Sequence, residues 1–141
     1  MLLPDVNVLI YAFRADSVHH AVARPFLQDV VESDAAFGMS PLALSALLRI
    51  TTNSSLPGTA STLEEGFLFC DALTKQPNCR IVEPGPDHWP IFQRLCLETE
   101  TAGPRMTDAW FAALAIEHGC EWVTFDRDFA RFPGLKWRTP H

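Results

Sequence analysis

Four aspartates, set at three places along a chain of 141 residues, carry the chemistry this sequence can offer. Asp5 follows Leu2-Leu3-Pro4, Asp108 follows Thr107 at the head of an apolar run, and Asp126 and Asp128 follow Trp122-Val123-Thr124-Phe125. Carboxylates a few ångströms apart cannot all stay ionised without protonation, an arginine partner or a hard cation. Mg²⁺ and Mn²⁺ prefer carboxylate oxygen, keep several waters and are often completed by substrate phosphates. A carboxylate cluster open to solvent therefore suggests metal-assisted phosphodiester hydrolysis, in which the cation lowers the pKa of an attacking water. Each acid alone has a plainer use: Asp108 as a helix-dipole partner, Asp126 and Asp128 as turn formers, Asp5 as an N-cap. Only convergence in space favours the first reading.

A length argument brings the acids together. Residues 108–118 read as a helix, with Thr107 as its N-cap and Gly119 placed to end it in a left-handed conformation. Eleven helical residues travel about 16 Å. Residues 121–125 read as a short buried strand that returns by roughly the same distance, so Asp126 comes back to the level of Asp108. Earlier in the chain, Leu2-Leu3-Pro4-Asp5 is a short strand ending in a carboxylate, although Pro4 cannot donate to a ladder. The apolar run Val6–Phe13 suits strand or helix, and a helix from near Asp5 is favoured. Ser17 caps a second helix, in which Pro25 predicts a kink or a delayed start.

A second strand is expected at residues 35–39, followed by the N-cap and N1 pair Ser40-Pro41 and a helix to about Thr52. Residues 53–60 read as a loop, and Ser61-Thr62-Leu63-Glu64 as a capping box before another helix. Residues 80–82 make a third strand, placed at the sheet edge. Pro84-Gly85-Pro86 is a turn, Asp87 leads a further helix, and residues 134–137 close the chain as a fifth strand. Alternation of this kind predicts an α/β fold with a parallel sheet and helices on both faces, its site beyond the carboxyl ends of the strands. All four aspartates fall on that edge.

Composition fits one globular domain over residues 1–141: 48% hydrophobic and 20% charged residues are too apolar for disorder. A net charge of −6 argues against generic coating of duplex nucleic acid, though not against a basic rim around an acidic site. Cys70, Cys79, Cys96 and Cys120 form no C-x-x-C pair and read as reduced thiols of a cytosolic protein. No signal peptide or membrane span is expected.

Three motifs in order, Leu3-Pro4-Asp5-Val6-Asn7-Val8-Leu9, Thr107-Asp108-Ala109 with Ala112-Ala113-Leu114-Ala115, and Thr124-Phe125-Asp126-Arg127-Asp128-Phe129, resemble the PIN-domain ribonucleases. More narrowly, they resemble the VapC toxins of type II toxin–antitoxin modules. The resemblance covers essentially the whole chain. It implies a three-layer sandwich around a central parallel five-stranded sheet, RNA cleavage dependent on Mg²⁺ or Mn²⁺, and inhibition by a cognate, VapB-like antitoxin. By position it makes Asp5 and Asp108 the main metal ligands. Asp126 would hold the metal or a water beside it, with Asp128 in support. Asn7 and Thr124 would position ligands or phosphate, or serve as local caps.

One departure matters. Many relatives carry a glutamate on the helix after the second strand, and Ala46 occupies that place in Ser45-Ala46-Leu47-Leu48-Arg49. Glu83, at the end of an edge strand about two spacings of 4.8 Å away, is a poor substitute. Arg105 is the best candidate for a phosphate contact, with Arg14, Arg49, Arg127, Arg131, Lys136 and Arg138 as a possible rim. Trp89, Trp110, Trp122 and Trp137 sit at core-like positions, and His19, His20 and His88 read as surface or helix-start residues. Phe26, Leu44, Leu47, Leu48, Phe67 and Leu68 are core by pattern. By resemblance, some of them would form an antitoxin groove or a homodimer contact. The second reading is a PIN-like module that binds RNA or a partner, its catalysis faded with the missing glutamate. A phosphotransferase of the D-x-D type is more remote, since Asn7 replaces the second aspartate.

Overall fold

The sheet is built from five very short strands: β1 (Leu2–Pro4), β2 (Phe37–Met39), β3 (Cys79–Ile81), β4 (Glu121–Val123) and β5 (Trp137–Arg138). All neighbouring strands run parallel, in the order β3-β2-β1-β4-β5. The structure is a computed structural model and describes residues 1–55 and 58–141. Between the strands lie α1 (Val6–Phe13), α2 (His20–Glu32), α3 (Pro41–Thr51), α4 (Leu63–Thr74), α5 (His88–Thr99) and α6 (Met106–His118). From β1 the chain steps outward to β2 and β3, then returns across the sheet to β4 on the other side of β1. Parallel crossovers are right-handed, so reversing direction changes the face on which the helices pack. The contacts agree: α1 packs on α2 and α3, α3 on α4, and α5 on α6. This is the three-layer α/β sandwich expected.

The core lies between the sheet and these layers. Leu3, Met39, Trp122 and Val123 are fully buried on the strands. The buried side of α6 is mostly alanine, Ala109, Ala112, Ala113 and Ala115, which lets the helix approach the sheet closely. Trp122 fills the space beside it, stacked on Phe111 at 5.3 Å and tilted against Phe129 at 5.4 Å. Pro4 is tolerated in a central strand for a specific reason. The Asp5 N–H donates to Val123 O on β4, so the donor that Pro4 lacks would have faced β2. On that side the ladder holds one register pair, against three with β4.

Several local expectations shift. α6 begins at Met106 after a 3₁₀ turn over Gly103–Arg105, so Thr107 lies inside its first turn and Arg105 takes the N-cap place. Gly119 ends the helix at φ 65°, as expected. α2 starts at His20, not at Ser17, whose Oγ accepts from His19 N–H; Pro25 lies within the helix. The capping box sits one residue later than expected, with Thr62 as N-cap and Glu65 returning the bond. β4 stops at Val123 because the Phe125 N–H is taken by the Asn7 side chain. β5 comes later than residues 134–137, since Gly134 turns at φ 87°.

Trp89 is exposed rather than core, whereas the adjacent His88 is buried, edge-on to Trp110 at 4.8 Å with its Nε2 3.0 Å from Trp110 O. Phe67 and Leu68 are exposed too, while Phe26 and Leu47 are core. In the loop expected at residues 53–60, Asn53 accepts from Ser55 N–H and Oγ; Leu56 and Pro57 lie outside the described residues. All four cysteines are free thiols. Among the described residues, no helix is long and apolar enough to cross a membrane.

Candidate active site

The direction of strand succession reverses at β1, the switch point at which sites in such parallel sheets lie, beyond the carboxyl ends of the strands. Asp5 stands there, one residue beyond β1. The β1–β4 register, Leu3 with Trp122 and Pro4 with Val123, carries on to set Asp5 opposite Thr124. The Thr124 hydroxyl donates to Asp5 Oδ2 at 2.6 Å. It accepts from Asn7 Nδ2 at 3.2 Å and from the Asp126 N–H at 3.0 Å. Asn7 Oδ1 in turn accepts from the Phe125 N–H at 3.2 Å. These bonds tie the first turn of α1 to the end of β4, and they fix both Asp5 and the backbone of Asp126.

Burial pushes the Asp5 carboxyl up from 3.8 to about 6. Hydrogen bonds from Thr124 and from the Val6 backbone oppose that shift, while Asp108 and Asp126 reinforce it. Asp108, in the first turn of α6, is also raised by burial; Arg131 lowers it and Asp126 raises it. Asp5, Asp108 and Asp126 thus feel one another's charge, as the helix-and-strand length argument requires.

Asp126 caps a 3₁₀ turn over Arg127–Arg131, its Oδ1 accepting from Asp128 N–H at 2.9 Å. Asp128 points elsewhere: its carboxylate pairs with Arg105 Nη2 at 2.8 Å, both side chains largely exposed. The same turn carries Arg131, whose Nη2 lies 3.4 Å from Asp108 Oδ2 and whose Nη1 donates to Asp128 O. The Arg131 guanidinium is held 4.2 Å above the Phe132 ring.

The expected meeting of four carboxylates therefore becomes a coupled trio with one outlier. Asp128 supports Asp126 through its backbone N–H, while its charge serves Arg105. Thr124 is fully buried and its hydroxyl reaches Asp5. Asn7 holds Thr124 and Phe125. Arg131, one of the six rim candidates, pairs with Asp108 of the trio. Its place follows from the 3₁₀ turn, which a strand-then-loop reading of residues 122–128 does not contain. Arg14, another rim candidate, is bound to Asp16 and Ser61 instead.

The model of the PIN domain matches residues 2–135. Ribonuclease VapC25 of Mycobacterium tuberculosis is 36% identical over 140 residues, covering 99% of both chains. Ribonuclease VapC31 of the same species is also 36% identical over 140 residues, again with 99% of each chain covered. The chain belongs to the PIN-domain family, in its VapC branch. Solved structures agree on the fold. VapBC2 from Rickettsia felis, bound to a promoter DNA fragment, superposes with a TM-score of 0.74 at 16% identity, covering 99% of this chain and 98% of that one. VapC20 of M. tuberculosis, described as a sarcin–ricin-loop-cleaving toxin, gives 0.71 at 12% identity, with 96% and 98% covered.

In this VapC-branch chain Ala46 lies half-buried on α3 and offers only a methyl group. Among the described residues, no three His, Cys, Asp or Glu side chains form a ready metal-binding group. Arg131 engages Asp108, and the turn engages Asp126. The remaining chemistry still suits a hard divalent cation, because every donor is oxygen and Asp5 is buried with two acidic neighbours. Mg²⁺ commonly takes one or two carboxylates and fills the rest of its shell with water and phosphate oxygens.

Proposed function

We propose that this chain is a Mg²⁺- or Mn²⁺-dependent endoribonuclease, the toxin of a toxin–antitoxin pair. The observation that carries the reading is Asp5, a buried carboxylate at the switch point, electrostatically coupled to Asp108 and Asp126. A bound divalent cation would supply an activated water and neutralise phosphate charge. Asp5 would hold the cation, with Asp108 and Asp126 on its flanks. Thr124 keeps the Asp5 carboxylate oriented, and Asn7 keeps Thr124 in place. Arg131 restrains the charge of Asp108 until a phosphate can share its guanidinium, and Arg105 offers a more exposed contact for the backbone of RNA.

The relatives are named ribonucleases, and VapBC complexes stand among the structural neighbours. On that basis the partner is a VapB-like antitoxin. Its docking surface is the apolar side of α3 and α4, where Leu42, Leu63, Phe67 and Leu68 are exposed. A homodimer belongs to the same reading. Four free thiols suit a reducing, cytoplasmic compartment.

Purified protein should cleave RNA with Mg²⁺, stop with chelator and recover on adding the ion back, and Asp5→Ala should abolish cleavage while the fold survives. Cleavage by Asp5→Ala at the parental rate would end the assignment. A second reading draws on Ala46 and on the Asp108–Arg131 pair: a PIN-like module that binds RNA or a partner without cutting. RNA binding that ignores chelator and yields no products would favour it.

A further inference from the structure

Ser40 follows β2 directly and stands at the N-cap of α3. It is 1% exposed, yet its Oγ has no hydrogen-bond partner among the described residues. Buried hydroxyls are almost always paired. The nearest natural role, accepting from the first N–H groups of α3, is not taken up, for α3 has no side-chain cap bond.

Its position in the sheet suggests another role. Leu2 pairs with Phe37, so the parallel register carried on by three residues sets Asp5 opposite Ser40. A Cβ built on Gly38 would meet Leu3 Cδ1 at 3.1 Å, which shows that positions 38 and 3 present side chains to the same face. Two residues further along both strands, Ser40 and Asp5 share that face as well. On the other flank Asp5 meets Thr124. Three oxygen-bearing side chains, Ser40, Asp5 and Thr124, therefore form a row across adjacent chain segments. Thr124 has used its donor and two acceptor positions; Ser40 has used none.

We propose that Ser40 is a positioning residue for the divalent cation, its hydroxyl accepting a hydrogen bond from a water in the shell of a cation held at Asp5. The inference rests on the metal-dependent reading above. Ser40 stands on the β2 side of Asp5 at the spacing of about 4.8 Å that separates neighbouring segments, the same spacing across which Thr124 reaches Asp5 from the β4 side. The idea also bears on the gap at Ala46. α3 carries no acidic ligand there, but its N-cap residue brings an uncharged oxygen to the same edge.

The test is Mn²⁺ titration of the parent, Asp5→Asn, Ser40→Ala, Ser40→Gly and Ser40→Thr without RNA, alongside metal-free melting curves. Glycine is nearly as good as serine at an N-cap, so Ser40→Gly removes the hydroxyl with little harm to α3. Loss of a group that supports a metal shell typically weakens affinity by about 10- to 100-fold. Ser40→Ala and Ser40→Gly should fall in that range with metal-free melting unchanged, and Ser40→Thr should retain parental affinity. Parental Mn²⁺ affinity in both hydroxyl-less variants overturns the proposal. So does lower melting with affinity intact, which would make Ser40 a helix cap only. If the parent binds Mn²⁺ and Asp5→Asn does not, failure of the Ser40 variants to weaken binding removes this inference alone. If the parent does not bind Mn²⁺, or Asp5→Asn binds it equally well, the metal reading falls with it.

Discussion

Asp5 is the residue on which stability and chemistry pull in opposite directions. Its carboxyl titrates at about 6 in the fold against 3.8 ordinarily, chiefly because burial penalises the charge. Between those values the folded chain binds more protons than the unfolded one, so this group's contribution to stability falls as pH rises through the window and stays low above it. Asparagine keeps the size and can still accept from Thr124, but it never ionises. Asp5→Asn should therefore melt higher than the parent above pH 6, by up to about 3 kcal/mol on the scale of 1.36 kcal/mol per pH unit, and the gain should vanish in acid. Denaturation at the two ends of the window checks it, and an Asn variant less stable than the parent above pH 6 would contradict it. Added Mg²⁺ should stabilise the parent and not the variant. Part of this was legible in the sequence: the return of Asp126 to the level of Asp108 followed from element lengths, and the place of Asp5 from its position at the end of the first strand. The direction of each side chain was not, because Asp128 and Thr124 are decided by hydrogen bonds to Arg105 and Asp5, on distant segments, that no spacing encodes.

Elements explain where the basic residues went. The 3₁₀ turn Arg127–Arg131 is capped by one acid of the trio and lays its last residue against another. It thereby ties Asp126 to Asp108 through its two ends. A cation at Asp108 has to compete with the Arg131 guanidinium, so Arg131→Gln should tighten Mn²⁺ binding, by up to about fivefold for a partly exposed pair contributing roughly 1 kcal/mol. Calorimetry on the RNA-free protein measures it, and weaker binding would show that Arg131 aids the cation rather than opposing it. RNA cleavage by the same variant should fall, since a phosphate contact is lost. Helices and strands were readable as types and in order because their apolar periods are strong. Their ends were not, because single side-chain bonds such as Asn7 to Phe125 N–H and the Gly103–Arg105 turn set them. His88 and Trp89 exchange places for a related reason: a one-residue rotation on α5 decides which ring faces α6.

At the scale of the whole molecule, the acidic edge and the exposed apolar residues of α4 occupy different parts of the fold. Phe67 and Leu68 are 52% and 73% exposed on α4 and belong to the surface proposed above for the antitoxin. Phe67→Glu with Leu68→Glu should leave melting and RNA cleavage near parental levels while weakening antitoxin binding at least tenfold or so, the usual effect of losing central apolar anchors. Titration with the antitoxin checks it; undiminished binding would move the docking surface elsewhere. Pattern alone had placed these two residues in the core, because periodicity separates apolar from polar faces and cannot tell a core from an interface.

Pro4 leaves a seam. With one register pair between β1 and β2 and three between β1 and β4, the sheet is unevenly stitched on the two sides of Asp5. Amide deuterium exchange should read this as two cooperative units, with β2 and β3 exchanging at lower opening free energy than β4. On this expectation Asp5, Asp126 and Thr124 would fall in the slow unit, and Ser40, α3 and α4 in the fast one. A protein clamped onto α3 and α4 would then grip the part of the molecule that breathes, and could shift Ser40 relative to Asp5 without melting the trio. Inhibition of that kind would show as slowed exchange in β2 and β3 on binding, with the exchange of β4 unaltered.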